Sequence, residues 1–202
     1  MSATGRSDVR EPNDNYPTPA WCVTRLRERV SLAPGHWLDP CAGDGAIIRA
    51  SGVPLGVTWH GVELRNECAS SLGSTLNGTR PVIGDFLDPR VRERVEMQTK
   101  DRRFSVILTN PPYALAMNFL AECLPIADRV VFLLRVGFLE SEKRHAFLKN
   151  HIPNVYILPN RPSFVGKSTD ATTYAWMVFY PTPRTAGRIE LLDLTPDTVR
   201  RR

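Results

Sequence analysis

The chain has 202 residues, 42% of them hydrophobic and 23% charged, which is enough apolar material for one domain-sized core. That composition excludes a disordered regulator, a fibrous protein and a disulfide-stapled miniprotein. Twenty-six Lys and Arg stand against 21 Asp and Glu, a net charge of +5, which favours a polyanionic partner, with a solvated basic surface as the equal alternative. No apolar run reaches the roughly 18–20 residues that a bilayer span needs. The N-terminus, MSATGRSDVREPNDNYPTP, is polar and lacks the apolar segment of a signal peptide. Cys22, Cys41, Cys68 and Cys123 are far apart with no C-x-x-C pair, which predicts reduced thiols in a cytoplasmic protein and no metal site.

Residues 1–15 read as a flexible tail, 16–194 as a single domain and 195–202 as a basic C-terminal tail. Helices are predicted over Pro19–Leu32, Ala46–Ala50, Asn66–Leu76, Pro89–Lys100, Leu115–Ile126 and Glu140–Asn150. They alternate with strands over His36–Asp39, Val57–Leu64, Pro81–Gly84, Phe104–Thr109 and Arg129–Leu134, followed by Val155–Leu158 and Thr173–Tyr180. Runs such as Phe104-Ser-Val-Ile-Leu108 and Val130-Val-Phe-Leu-Leu134 are too apolar to be half-exposed. They predict a mostly parallel, seven-stranded α/β sheet covered by helices on both faces. The last two strands have no helix between them, which predicts an antiparallel strand near one edge. Ligands of such sheets bind at the carboxyl ends of the strands, so the loops there carry the chemistry.

The loop after the first strand reads Asp39-Pro-Cys-Ala-Gly-Asp-Gly-Ala46, where Gly43 and Gly45 allow a tight turn and close approach of a ligand. A dinucleotide fingerprint would place a third glycine where Ile48 stands, so a pyrophosphate ligand is disfavoured. Glu63, at the tip of the second strand, is placed to accept from the ribose hydroxyls of an adenosine-type ligand; alone, it reads better as a surface acid. After the third strand, Asp85 can accept from an adenine amine and Phe86 can stack on its ring; a helix N-cap and a core aromatic are the equal alternative. The fourth strand ends Thr109-Asn-Pro-Pro-Tyr113, a sharper signal. Two prolines fix the backbone and remove competing N–H groups. The Asn110 side-chain oxygen and the Pro111 carbonyl can then accept both hydrogens of an aromatic amine and aim its lone pair, while Tyr113 stacks on the ring.

Together these residues resemble the class I S-adenosylmethionine-dependent methyltransferases, specifically the amino-methyltransferases of nucleic acids, over residues 16 to about 180. DPCAGDG resembles motif I, Glu63 motif II, Asp85 with Phe86 motif III, and NPPY the catalytic motif IV. Tyr16-Pro-Thr-Pro19 resembles the Y-x-T-P motif X of adenine-N6 DNA methyltransferases, giving the γ order. Arg161-Pro-Ser-Phe164, Gly166 and Thr173-Tyr-Ala-Trp176 resemble the end of small phage and prophage enzymes. The resemblance implies a Rossmann-like methyltransferase fold and S-adenosyl-L-methionine as cofactor. It implies that Tyr16, Thr18 and Pro19 pack on the methionine half of the cofactor. It further places Asp39, Cys41, Ala42, Gly43 and Gly45 around that half, with Asp39 facing the ammonium. Glu63 would hold the ribose and Asp85 the adenine amine, with the adenine ring between Leu64 and Phe86. Asn110, Pro111, Pro112 and Tyr113 would hold the target base, and Phe164 is the candidate for the second face of a flipped-out base, or else a core plug.

The implied reaction is methylation of adenine N6 in DNA. Amino-methylation of RNA bases is the close alternative, followed by glutamine-N5 methylation of a protein and by a non-catalytic nucleic-acid-binding subunit. The basic charge and the Y-x-T-P segment weigh against the glutamine reading. Intact Asp39, Glu63, Asp85 and NPPY weigh against the non-catalytic one. A chain of this length has no room for the separate target-recognition domain of the larger enzymes. Recognition would then fall to residues 113–117, 137–143 or 160–172, or to the C-terminal arginines.

Overall fold

A computed structural model describes residues 17–100, 102–164 and 172–200. Eight strands form one sheet in the order β3-β2-β1-β4-β5-β7-β6-β8. In chain order the elements are α1 (Ala20–Arg29), β1 (Gly35–Asp39), α2 (Ala46–Ser51), β2 (Val57–Glu63), α3 (Ala69–Thr75), β3 (Val82–Ile83), α4 (Pro89–Glu96) and β4 (Val106–Thr109). Then come α5 (Ala116–Cys123), β5 (Val130–Arg135), α6 (Glu142–Asn150), β6 (Asn154–Ile157), β7 (Tyr174–Phe179), β8 (Ile189–Leu191) and α7 (Asp197–Arg200). The β1–β2, β1–β4 and β4–β5 pairs are parallel, while β7 runs antiparallel to both β5 and β6. This is the Rossmann-like sheet expected, with the antiparallel strand β7 inserted between β5 and β6, third from the β8 edge.

Continuous burial explains the unbroken apolar runs: every residue of β4 and β7 is buried, and all of β5 except Arg135. Aromatic residues sort by face. All four tryptophans, Trp21, Trp37, Trp59 and Trp176, enter the core under α1 and α2. Their size is accommodated because the polar end finds a partner: the Trp37, Trp59 and Trp176 indoles donate to the carbonyls of Ala33 (2.8 Å), Gly52 (3.2 Å) and Cys22 (2.9 Å). Phe86, Phe104, Phe119, Phe132, Phe138 and Phe179 fill the opposite core, under α4 and α5. No cysteine is paired, and burial pushes the Cys22, Cys41 and Cys123 thiols well above their ordinary range.

The expected seven strands become eight. Ile189–Leu191 adds in parallel to the outer side of β6, through Val155↔Ile189 and Ile157↔Leu191. Its pattern is inverted for a strand, since Ile189 and Leu191 are exposed and Glu190 faces inward to meet Arg29 at 3.2 Å. Some helices are shorter than predicted. Asn66–Leu76 opens as a 3-10 turn over Asn66–Cys68, and Pro89–Lys100 ends in another over Met97–Thr99, with Lys100 in the left-handed region at φ 54°. At the C-terminus Thr195 is buried. Its hydroxyl accepts from Arg25 Nε at 2.9 Å and its N–H donates to Asn160 Oδ1 at 2.6 Å, and the short α7 follows. Among the described residues, no helix is long and apolar enough to cross a membrane, and no group of three His, Cys, Asp or Glu could hold a metal ion.

Candidate active site

The sheet reverses direction of winding between β1 and β4: β2 and β3 lie to one side, β4 and β5 to the other. A crevice forms at the carboxyl ends of strands at such a point, and Asp39, Glu63, Asp85 and the Asn110–Tyr113 turn lie at or just past strand ends there. Asp39 ends β1 with 1% exposure, and its Oδ1 accepts from the Thr109 hydroxyl at 2.6 Å and from the Cys41 N–H at 3.1 Å. The first bond ties the tips of β1 and β4 together. Burial raises the Asp39 carboxyl to about 7; the Thr109 and Cys41 hydrogen bonds offset part of that rise, and the nearby Glu63 adds to it.

The following loop is fastened to β2. The Ala42 N–H donates to the Val62 carbonyl at 2.9 Å, and the Gly43 N–H to Glu63 Oε2 at 2.7 Å. Gly43 and Gly45 both adopt positive φ, 57° and 88°. Among the described residues, an added Cβ at Gly43 would have only the Arg65 guanidinium near it, at 3.7 Å, which leaves room for close approach by a ligand. Gly45 is different. A Cβ there would lie 2.5 Å from Thr75 Oγ1, so its missing side chain makes room for α3.

Glu63 is buried at the end of β2, where its Oε1 accepts from both the N–H (3.0 Å) and the Nε (2.7 Å) of Arg65. Leu64, beside it, is 57% exposed and offers an apolar surface. Asp85 is exposed and accepts from the Leu87 N–H at 2.9 Å; the N-cap of α4 is Asp88, which accepts from the Arg90 N–H. Phe86 is a core residue, 2% exposed and stacked on Phe119 at 5.6 Å. The adenine sandwich expected from Leu64 and Phe86 is therefore open on the Leu64 side only.

At the tip of β4, Pro111 is buried, Pro112 partly so, and the Tyr113 hydroxyl donates to Asn110 Oδ1 at 3.0 Å. The Tyr113 ring lies 5.7 Å from Tyr174 and carries the Arg135 guanidinium 5.1 Å from its centroid. Phe164 meets Tyr174 edge-on at 5.2 Å and packs against the tryptophan-side core. Tyr113 and Phe164 thus both rest on Tyr174. Thr18 is buried and Pro19 caps the start of α1, while Tyr16 and Gly166 lie outside the described residues. Sequence reasoning missed Thr109, Arg65, Arg135 and Tyr174. Thr109 and Arg135 close the strands β4 and β5, a position that could have marked them.

No protein-family model matches the sequence, and no curated protein matches it. Solved structures share its fold. A Vibrio vulnificus protein described as the modification subunit of a type I restriction enzyme superposes with a TM-score of 0.59 at 17% identity, over 90% of this chain and 48% of that one. The 23S rRNA methyltransferase ErmE does so with a TM-score of 0.59 at 16% identity, over 93% of this chain and 75% of that one. A class I S-adenosylmethionine-dependent methyltransferase fold from Listeria monocytogenes follows at 0.56 and 14%, over 89% and 65%. The chain spans about half the length of the Vibrio protein.

Proposed function

We propose that the chain is an S-adenosylmethionine-dependent methyltransferase acting on the exocyclic N6 amine of adenine in DNA. The observation that carries this reading is the meeting of Asp39, Glu63 and the Asn110–Tyr113 turn at the carboxyl ends of β1, β2 and β4, on either side of the switch point. Supporting it are the shared fold and the basic charge.

The donor set fits the cofactor. Asp39 offers a buried carboxyl to an ammonium, Gly43 leaves room beside the backbone, and Leu64 an open apolar face. A carboxylate has about four acceptor sites, and three N–H groups take three of those of Glu63, leaving one on Oε2. Accepting from both hydroxyls of a ribose there requires Arg65 Nε to let go. When bound, the cofactor supplies an electrophilic methyl group.

The chain's own residues do the rest. Asn110 Oδ1 and the Pro111 carbonyl accept the two amine hydrogens and orient the nitrogen lone pair. Pro112 contributes no N–H to compete for that carbonyl. Before the base arrives the Tyr113 hydroxyl occupies Asn110 Oδ1; its release frees both the acceptor and the ring that stacks on the base. The similarity to an rRNA methyltransferase favours RNA as the second reading.

Transfer of labelled methyl groups to DNA, RNA and protein, followed by nucleoside and amino-acid analysis, tests this. Label in N6-methyldeoxyadenosine is the expected result. Label in RNA bases alone moves the substrate to RNA, and label on glutamine or on no acceptor overturns the reading.

A further inference from the structure

At the other end of the sheet, where β5 and β6 begin and β7 ends, lies a second cluster of side chains. Tyr180 follows β7, and its ring carries two guanidiniums, Arg129 at 5.6 Å and Arg184 at 4.4 Å from the centroid. Arg188 stands over Tyr156 at 5.4 Å and donates through Nη2 to the Tyr156 hydroxyl at 2.6 Å. Asn154 joins the two groups, accepting from the Arg188 N–H at 3.2 Å and donating to the Tyr180 hydroxyl at 3.4 Å. An open cleft of about 300 Å³ lies along Asn154, Arg184, Gly187 and Arg188.

The backbone that carries these arginines is fixed. Arg184 exchanges hydrogen bonds with Asn150 and Ile152, and the Val155 N–H donates to the Arg188 carbonyl. Gly187 presses on β6 so closely that a Cβ would lie 2.1 Å from the Pro153 carbonyl oxygen. Among the described residues none of the three arginines meets a carboxylate, whereas Arg29, Arg65, Arg92 and Arg103 each do. Aromatic rings and a hydroxyl hold a cation in place without neutralising it. Arg129 and Arg184 share one ring and Arg188 is joined to it through Asn154, with Glu190 the one carboxylate among the described residues whose field is seen at Arg188. The positive charges repel one another, and a multiply charged anion relieves that repulsion. The guanidinium fork matches phosphate oxygens in particular.

We infer that this surface binds the phosphodiester backbone of the nucleic-acid substrate, away from the base being methylated. The inference rests on the reading of the substrate as nucleic acid. Both tyrosine rings are covered by guanidiniums, which leaves no free ring for a stacked base and disfavours a mononucleotide. Arg129 precedes β5 and Arg135 closes it beside Tyr113, so the two sites are separated by about 20 Å at roughly 3.3 Å per strand residue. At about 3.4 Å per nucleotide, that is some six nucleotides of flanking sequence.

Binding of fluorescent hairpins with stems of about five and about twenty-four base pairs, in DNA and in RNA, tests this across a range of salt. For the long stem, Arg184→Gln should lower the slope of log K against log salt by about 1, and Arg184→Gln/Arg188→Gln by about 2. For the short stem neither should change it. Arg184 makes no side-chain hydrogen bond among those described, so the single variant gives a reading even if the double one folds poorly. Arg94→Gln/Lys100→Gln removes the same charge elsewhere and should leave the slope alone. An equal fall in that comparator, or unchanged slopes in the Arg184 and Arg188 variants, overturns the surface. Methyl transfer with unchanged slopes leaves the methylation reading standing without it; a lost slope without methyl transfer does the reverse. A wild-type protein that binds neither hairpin overturns both.

Discussion

A carboxyl group at 1% exposure, with one hydroxyl and one amide for partners, keeps its proton to about pH 7. Between the ordinary 3.8 and that value the folded protein binds a proton that the unfolded chain has lost. Asp39 therefore makes the fold less stable as pH rises through this window. For a ligand bearing an ammonium the sign reverses, because only the carboxylate attracts it. Calorimetric affinity for S-adenosylmethionine should fall by about tenfold per pH unit below 7 and decline again above about 8, where an α-ammonium loses its own proton, and Asp39→Asn should flatten the acidic limb. A flat profile in the wild-type protein would remove Asp39 from the cofactor site. Asn110 separates binding from chemistry: Asn110→Ala should leave cofactor affinity within a few-fold and slow methyl transfer by about 10²-fold, the scale for one preorganised polar group. Near-normal turnover would sink the proposed role. The placement of Asp39, Glu63, Asn110 and Tyr113 at or just past strand ends was legible because the apolar runs located those ends. Thr109 on Asp39 and Arg135 on Tyr113 were not. Thr109 and Arg135 stand at strand ends, but their partners are supplied by folding, Asp39 lying 70 residues from Thr109; Arg65 is only two residues from Glu63, so its pairing was open to a local reading.

At the scale of elements, the seven strands read from apolar runs all form, because burial on both faces leaves a strong signal. The eighth was not legible, since β8 is a three-residue edge whose apolar side chains face solvent. Helix ends were blurred for a different reason: the 3-10 turns at Asn66–Cys68 and Met97–Thr99 share helical composition, and only their hydrogen bonds differ. The glycine turn was foreseen, but its purpose divides. Gly43 fronts the crevice, whereas Gly45 starts α2 in the left-handed conformation and admits the Thr75 side chain of α3. Gly45→Ala should therefore cost about 1–2 kcal/mol for the left-handed backbone and roughly 1–3 kcal/mol for overpacking. Thr75→Ala in the same chain should restore part of the second cost and none of the first. Denaturant unfolding of the single and double variants measures both, and strict additivity would show that the α2–α3 contact is not what requires glycine.

For the whole molecule, the proposed function assigns the +5 charge and the arginine–tyrosine surface to the backbone of a nucleic acid and the crevice to one base of it. An exocyclic amine inside a duplex cannot reach Asn110, so the base must leave the stack, at a cost of a few kcal/mol. On the proposed function the turn after β4 receives it: the Tyr113 ring lies against both the Arg135 guanidinium and Tyr174, which are joined by Arg135 Nε donating to the Tyr174 hydroxyl at 3.2 Å, and a base that displaces Arg135 gains a stacking face at the cost of that bond. Part of the extraction cost is the lost base pair. A mismatched or absent partner opposite the target adenine should then tighten binding. Tyr113→Ala should weaken it by roughly 1–3 kcal/mol, the loss of one stacked base, without altering the salt slope. Methylation of a protein glutamine predicts no dependence on pairing. Titrating matched and mismatched duplexes against the wild-type and Tyr113→Ala proteins at fixed salt decides between the two. Equal affinities for all duplexes, unmoved by the loss of the ring, would mean that no base is extracted and that the amine held at Asn110 belongs to another polymer.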